Sequence, residues 1–146
     1  MTQPRAVAVV ISEGRVLLMK RYLQRPRPCV MCPRGALACA GHHYAVLPGG
    51  SVEPGESFEE AVLRELTEET TMTARIERQL WSGRHAKRRA VYFLMTDVEG
   101  TPVLSGPEAV ENGPLNSFEL LWATPADFEP LNVFPPSIRA PLTALL

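Results

Sequence analysis

Two periods of apolar and polar positions divide this 146-residue chain. Residues 6–12 (AVAVVIS) and 15–21 (RVLLMKR) are apolar runs rich in β-branched and aliphatic side chains. Between them lies a turn in which Gly14 can take φ > 0, so the pattern predicts a β-hairpin over 6–21. Periodicity then disappears from 22 to 43, a stretch that holds three prolines, two glycines and every cysteine of the chain. A loop of that length is uncommon in a compact domain unless something orders it or it serves function. Residues 44–50 (YAVLPGG) read as a short strand that breaks at Pro48-Gly49-Gly50, and 53–56 (EPGE) as a tight turn. Ser57 followed by Glu60 forms a capping box, which starts a helix at Phe58 and carries it to about Thr70. Residues 75–83 and 89–98 predict two more strands joined by the basic loop RHAKRR, and 118–124 (FELLWAT) a last one. Pro135 and Pro136 favour entry into a C-terminal helix that Pro141 should limit. There is no internal repeat. The class is therefore α+β, a mixed sheet with helices packed on its faces.

The helix at 58–70 carries more information than its existence. At about 100° per residue, with Glu65 at zero, Phe58 falls near about 20°, Glu69 near about 40°, Val62 near about 60° and Leu66 near about 100°. Glu65 and Glu69 therefore sit inside the apolar stripe, whereas Glu60 and Thr67 occupy the opposite side; Glu68 lies near about −60°. Carboxylates on a buried stripe cost several kcal/mol unless a cation or hydrogen bonds compensate them. Arg64 can neutralise part of the charge, but a hard divalent cation with oxygen ligands fits the cluster better.

Charge is distributed in bands, although the net charge is only −1. Residues 1–50 carry seven basic groups against one acid, and 51–70 seven acids against one base. Residues 71–89 return to six bases against one acid. The near-neutral total argues against a general nucleic-acid or membrane-surface binder. The banding suits a site that pairs metal-binding carboxylates with cationic contacts to an anionic substrate. No run approaches the roughly 20 apolar residues of a membrane span, and the N-terminal stretch lacks a signal-peptide pattern, so the expected location is cytoplasmic. One domain over 1–146 accommodates the length, with the Cys/His-rich segment at about 22–43 as a loop insertion.

The segment GSVEPGESFEEAVLRELTEETTM, residues 50–72, now shows its spacing: Gly50, Glu56, Arg64-Glu65-Leu66, Glu68-Glu69 and Thr71-Met72. This resembles the Nudix box, the signature of the Nudix hydrolase family, at every fixed position except Thr71, where the family has Gly. With each fixed residue expected at roughly one position in fifteen, six in register by chance is on the order of one in ten million per start point. The resemblance implies a Nudix-like α/β/α sandwich around a mixed β-sheet. It also implies Mg²⁺- or Mn²⁺-dependent hydrolysis of the diphosphate bond of a nucleoside diphosphate linked to another moiety. Carried over by position, Glu65, Glu68 and Glu69 would hold the metal, Glu65 would be a candidate base, and a carbonyl of Gly49 or Gly50 would add a ligand. Arg64 would orient the glutamates and Glu56 would hold Arg64. Thr71, β-branched at a position that favours φ > 0, should end the helix differently from Gly. Glu108 and Glu111 are the candidates for the further acid that many members take from a later loop.

The partner implied is a small nucleoside diphosphate derivative, with neither a nucleic-acid polymer nor a membrane, and a homodimer is a candidate assembly. The competing reading is a nonhydrolytic Nudix domain that binds a nucleotide or a partner as a regulator. Positions 86 and 87 are Ala and Lys, so the Pro that marks many ADP-ribose hydrolases is missing, and Tyr92 comes too late to match the Tyr of many dinucleoside polyphosphate hydrolases. Cys29-x₂-Cys32 and Cys39-x₂-His42, or His43 in its place, offer three sulfurs and one imidazole at ligand-like spacing. A structural zinc stands there against the ordinary alternative of reduced thiols beside a histidine. Lys20, Arg21, Arg25 and Lys87 are candidate contacts to substrate phosphates, each set against a solvated surface position.

Overall fold

The computed structural model describes residues 3–146. Its strands are β1 (Arg5–Val9), β2 (Ile11–Ser12), β3 (Arg15–Leu23), β4 (His42–Val46), β5 (Gly49–Ser51), β6 (Thr73–His85), β7 (Arg88–Glu99) and β8 (Asn116–Ala123). The α-helices are α1 (Phe58–Thr70), α2 (Gly106–Glu111) and α3 (Arg139–Leu145). The strands form two four-stranded sections. One has the order β5-β1-β7-β6, with β1 parallel to β7 and its other pairs antiparallel. In the other, β3 takes β8 along one edge and β2, then β4, along the opposite edge.

The expected hairpin over 6–21 is corrected by this pairing. Only Ile11–Ser12 folds back on Arg15–Val16, through a turn with φ of 52° at Glu13 and 72° at Gly14. Residues 5–9 leave for the first section and pair instead with β5 and β7. Likewise Gly49-Gly50 does not merely break a strand but forms one, β5, against β1. The basic loop shrinks to the Ala86-Lys87 turn, because β6 and β7 run on to His85 and Arg88. Pro141 falls in the first turn of α3, where its missing N–H has no helical partner to lose, so the helix continues to Leu145.

Strand alternation builds a core on each side of the sheet. Ala6, Ala8 and Val10 face Ala61, Val62 and Leu66 of α1 together with Val91, Phe93 and Met95 of β7. Val7 and Val9 face the other way, onto Val16, Leu18, Tyr92, Phe128 and the C-terminal Ile138 and Leu142. The α/β/α layering expected from the sequence is therefore present, with α1 and α3 on opposite faces.

Helix α1 begins at the capping box, with Ser57 Oγ accepting from Glu60 N–H at 3.0 Å and Glu60 Oε1 accepting from Ser57 N–H at 3.0 Å. Its end corrects the expectation for Thr71. Despite its branched Cβ, Thr71 adopts the left-handed conformation, φ 64°, and donates its N–H to Thr67 O at 2.9 Å. The neighbours enforce it: Thr67 Oγ1 donates to Met72 O, Met72 N–H donates to Thr70 Oγ1, and Val103 N–H donates to Thr70 O. A Thr in this conformation costs roughly 1–2 kcal/mol, and glycine's greater freedom in the unfolded chain offsets only about half of that. Thr71→Gly is therefore expected to stabilise the protein by about 0.5–1 kcal/mol, raising Tm by about 1–4 °C in a calorimetric scan; an unchanged or lower Tm would show that the left-handed site carries no strain.

Candidate active site

The site forms where the β5 turn meets α1. Arg5 pairs in register with Ser51, Ala6 with Gly50 and Val7 with Gly49, which lays the Gly49-Gly50 backbone against the helix. A Cβ on Gly50 would strike the Glu65 carboxylate, and one on Gly49 would strike the β1 backbone at Ala6 and Val7. Both glycines are thus required by close approach rather than by turn conformation.

Arg64 is the hub of this corner. Its guanidinium grips Glu56 through two bonds, Nε to Oε2 at 2.7 Å and Nη2 to Oε1 at 2.9 Å, and reaches Glu65 Oε1 at 3.0 Å and Glu68 Oε2 at 3.2 Å through Nη1. Nη2 also donates to Ser51 O at 3.0 Å. The Arg64 hydrogen bonds hold the Glu56 carboxyl down at about 2, helped by the Glu53 N–H, and the same partners raise the pKa of the arginine.

The three helix glutamates are not equivalent. Glu69 is buried, 4% exposed, and accepts from Gly49 N–H at 3.3 Å. Burial pushes its carboxyl well above the ordinary range, reinforced by the Glu108 and Glu65 charges and opposed by Arg5. Glu65 is raised as well, by burial first, against the pull of Arg64. Glu68 lies on the exposed rim.

Helix α2, absent from the sequence-based elements, brings the fourth acid. Ser105 N–H donates to Glu69 O at 2.9 Å and Ser105 Oγ donates to Glu68 O, which fastens the start of α2 to the end of α1. Glu108 thereby lines a small cleft of about 100 Å³ with Glu69, Gly49, Arg5 and Arg21. Two polar atoms lining that cleft, Glu108 Oε2 and Arg5 Nε, are buried without a hydrogen-bond partner. Such atoms are rare in folded proteins and call for a water, a ligand or an ion as partner.

The structure separates the remaining candidates. Arg21 lines the cleft, but its Nε and Nη2 donate to Ser117 O and Asn116 Oδ1, and its guanidinium lies 3.8 Å from the Phe118 ring centroid. Lys20, one residue earlier on β3, points to the opposite face, and Arg25 is exposed in the loop. Lys87 is exposed at the β6–β7 turn; the cation from that turn which reaches inward is Arg88, bonded to Ser51 Oγ at 2.6 Å and close enough to Glu65 to feel its charge. Glu111 is exposed and outside the cleft. Arg5 and Arg88 were missed in the sequence because only the long-range β1–β5 and β1–β7 pairings bring them to the acids. The alternation of β1 was the available signal for Arg5, since it places residues 5, 7 and 9 on one face.

Cys29, Cys32, Cys39 and His42 converge at the far end of β3 and β4, their ligand atoms all within 4.8 Å of one another. They are the only group of three or more potential ligands among the described residues to do so; the glutamates do not draw together that closely. His43 corrects the alternative ligand: the period of a strand turns it away from the sulfurs and onto Tyr22, with ring centroids 4.6 Å apart.

The NUDIX domain model matches residues 1–142. The chain belongs to the Nudix family. Members of this family are usually pyrophosphohydrolases, act on nucleotide-derived substrates and typically use Mg²⁺. Among solved structures, the chain is similar to the Escherichia coli ORF135 protein at 23% identity, covering 97% of this chain and 85% of that one with a TM-score of 0.63. It is also similar to a MutT Nudix hydrolase of Burkholderia pseudomallei, at 24% identity, 85% and 84% coverage and a TM-score of 0.58. A third, an ADP compounds hydrolase, matches at 16% identity, 99% and 71% coverage and a TM-score of 0.62. At these identities the likeness establishes the shared fold. No described helix is long and apolar enough to cross a membrane.

The raised Glu69 carboxyl gives a test in the absence of metal. Its folded pKa exceeds the unfolded value of about 4.3, so folding takes up a proton, and stability is lost as pH rises from that value through the folded one. Glu56 has the opposite sign, its contribution disappearing only on acidification from about 4.3 toward 2. In EDTA, the Tm of the wild type minus that of Glu69→Gln should therefore fall over the pH interval that begins at the unfolded value of about 4.3 and runs upward. A difference that stays constant across that interval would contradict the buried, repelled carboxylate.

Proposed function

We propose that this protein is a metal-dependent hydrolase that cleaves the diphosphate bond of a nucleoside diphosphate linked to another moiety. The observation that carries the reading is the cleft in which an unpartnered carboxylate oxygen of Glu108 and an unpartnered guanidinium N–H of Arg5 stand beside the desolvated Glu69. An acid cluster of this kind needs a cation, and a buried guanidinium donor needs an anion. A metal diphosphate supplies both.

The donor set is all oxygen, which suits Mg²⁺ or Mn²⁺. Glu65, Glu68, Glu69 and a carbonyl of Gly49 or Gly50 would hold it, with Glu108 as the further acid. When bound, the ion neutralises diphosphate charge and lowers the pKa of a ligated water. Glu65, held against Gly50 and bonded to Arg64, takes the proton of the attacking water. The water oxygen forms a bond to phosphorus as the bond from phosphorus to the bridging oxygen breaks, and the bridging oxygen leaves with the departing phosphate. Arg5 donates to a phosphate oxygen in the cleft, and Arg88 supports the Glu65 side. Glu56 and Arg64 act through position, keeping the glutamates aimed at the β5 turn.

Two measurements test this. A panel of nucleoside triphosphates, nucleotide sugars, ADP-ribose, dinucleoside polyphosphates and coenzyme A, assayed for phosphate or nucleotide release, should show turnover of one class with Mg²⁺ and none with EDTA. Glu69→Gln should reduce that turnover by about 10² or more with folding intact. Ligand binding without turnover in either form would instead mark a nonhydrolytic binding domain. Arg5→Ala should lower kcat/KM about tenfold to a hundredfold, the equivalent of a charge-assisted hydrogen bond of about 1.5–3 kcal/mol; an unchanged kcat/KM would remove Arg5 from substrate contact.

A further inference from the structure

The segment between β3 and β4 has almost no apolar reason to be ordered. Its only fully buried hydrophobic residue is Cys39, while Val30 and Leu37 are 88% and 97% exposed. Local hydrogen bonds are few: Cys32 N–H to Cys29 O at 3.0 Å, Ala36 N–H to Pro33 O at 3.0 Å, and Cys29 N–H to Cys32 Sγ at 3.4 Å. What the segment does possess is convergence of its sulfurs. Cys29 Sγ lies 3.7 Å from Cys32 Sγ and 4.0 Å from Cys39 Sγ, and Cys32 Sγ lies 3.3 Å from His42 Nε2.

We propose that Cys29, Cys32, Cys39 and His42 form a structural zinc site that closes this loop and braces the corner of the fold carrying Glu108. Two sulfurs each about 2.3 Å from zinc at a tetrahedral angle are separated by about 3.8 Å, which matches both sulfur spacings, 3.7 and 4.0 Å. Soft thiolates with one imidazole select zinc over the hard ions suited to the glutamates. Four protein ligands fill a tetrahedral shell and leave no position for water, so the site holds structure rather than performing hydrolysis. Three thiolates and Zn²⁺ leave a net charge of −1, and the same loop carries Arg25, Arg27 and Arg34.

The bracing follows from connectivity. Leu23 and His42 are paired across the mouth of the loop. On its other edge Leu23 pairs with Asn116, and the next residue, Gln24, donates its N–H to Leu115 O at 2.9 Å. Arg21 adds its bonds to Asn116 and Ser117. Residues 115–117 are the end of the segment that carries α2 and Glu108, so fixing the loop mouth fixes that end.

The test uses the full-length protein and does not depend on the proposed hydrolase activity. Protein expressed in zinc-supplemented medium should contain one zinc per chain by elemental analysis after desalting. Cobalt replacement should give the visible and thiolate charge-transfer bands of a tetrahedral sulfur-rich site. His43→Ala should keep the metal, whereas Cys32→Ser and His42→Ala should lose it. Chelation should accelerate tryptic cleavage after Arg34 by tenfold or more, since Arg25 and Arg27 are each followed by proline, which trypsin does not cut. Clearly substoichiometric zinc in the wild type, cysteines recovered as disulfides, or full zinc content in both Cys32→Ser and His42→Ala would overturn the proposal. If those two variants prove insoluble, the wild-type zinc content and cobalt spectrum decide it alone.

Discussion

One guanidinium keeps three separate pieces of chain in register. Arg64 belongs to α1, Glu56 to the turn before it, and Ser51 to the end of β5; bonds of 2.7–3.0 Å join the arginine to both partners. Its remaining N–H groups reach Glu65 and Glu68. Without this arginine the carboxylates of α1 would have no organic counter-charge on their own helix, and the β5 turn would lose its fastening to it. Bidentate geometry explains why arginine suits the position: lysine could offer a charge but not a planar fork that grips Glu56 and still leaves donors for the acids. The site is accordingly built on a rigid strand and helix, and α2 is added to it by the bonds from Ser105 to the last turn of α1.

Much of this corner was legible in the sequence because its signals are local. The capping box set the start of α1, and the 3.6-residue period placed Glu65 and Glu69 inside the apolar stripe, where Glu69 is buried and Glu65 partly buried. The parts that were not legible depend on pairing between distant residues. Nothing near Arg5 announces that it will lie beside Glu69; that follows from β1 running antiparallel to β5 and parallel to β7. Helix α2 is a six-residue element with no buried residue, held by its contacts to α1 rather than by its own periodicity. Thr71 failed the rule of local preference because Thr67, Thr70 and Val103 determine its backbone from outside. The choice between His42 and His43 was likewise open in sequence and closed by the alternation of a strand edge.

Replacing buried charged groups with well-packed apolar ones is often neutral or stabilising. A cleft that keeps Glu69 desolvated within reach of the Glu65 and Glu108 charges forgoes that gain, and Arg5 and the Gly49 N–H offset it only in part. The acid cluster is therefore a poor structural device and a good cation receptor. The Cys/His cluster obeys the reverse logic, since its loop lacks an apolar core and gains its order from convergence of the ligands. Ligand softness then sorts the two centres: carboxylate and carbonyl oxygens favour a hard ion, thiolates and imidazole favour zinc. The thiolate and imidazole set disfavours a hard ion, and the strands β3 and β8 connect the two clusters without their sharing a residue.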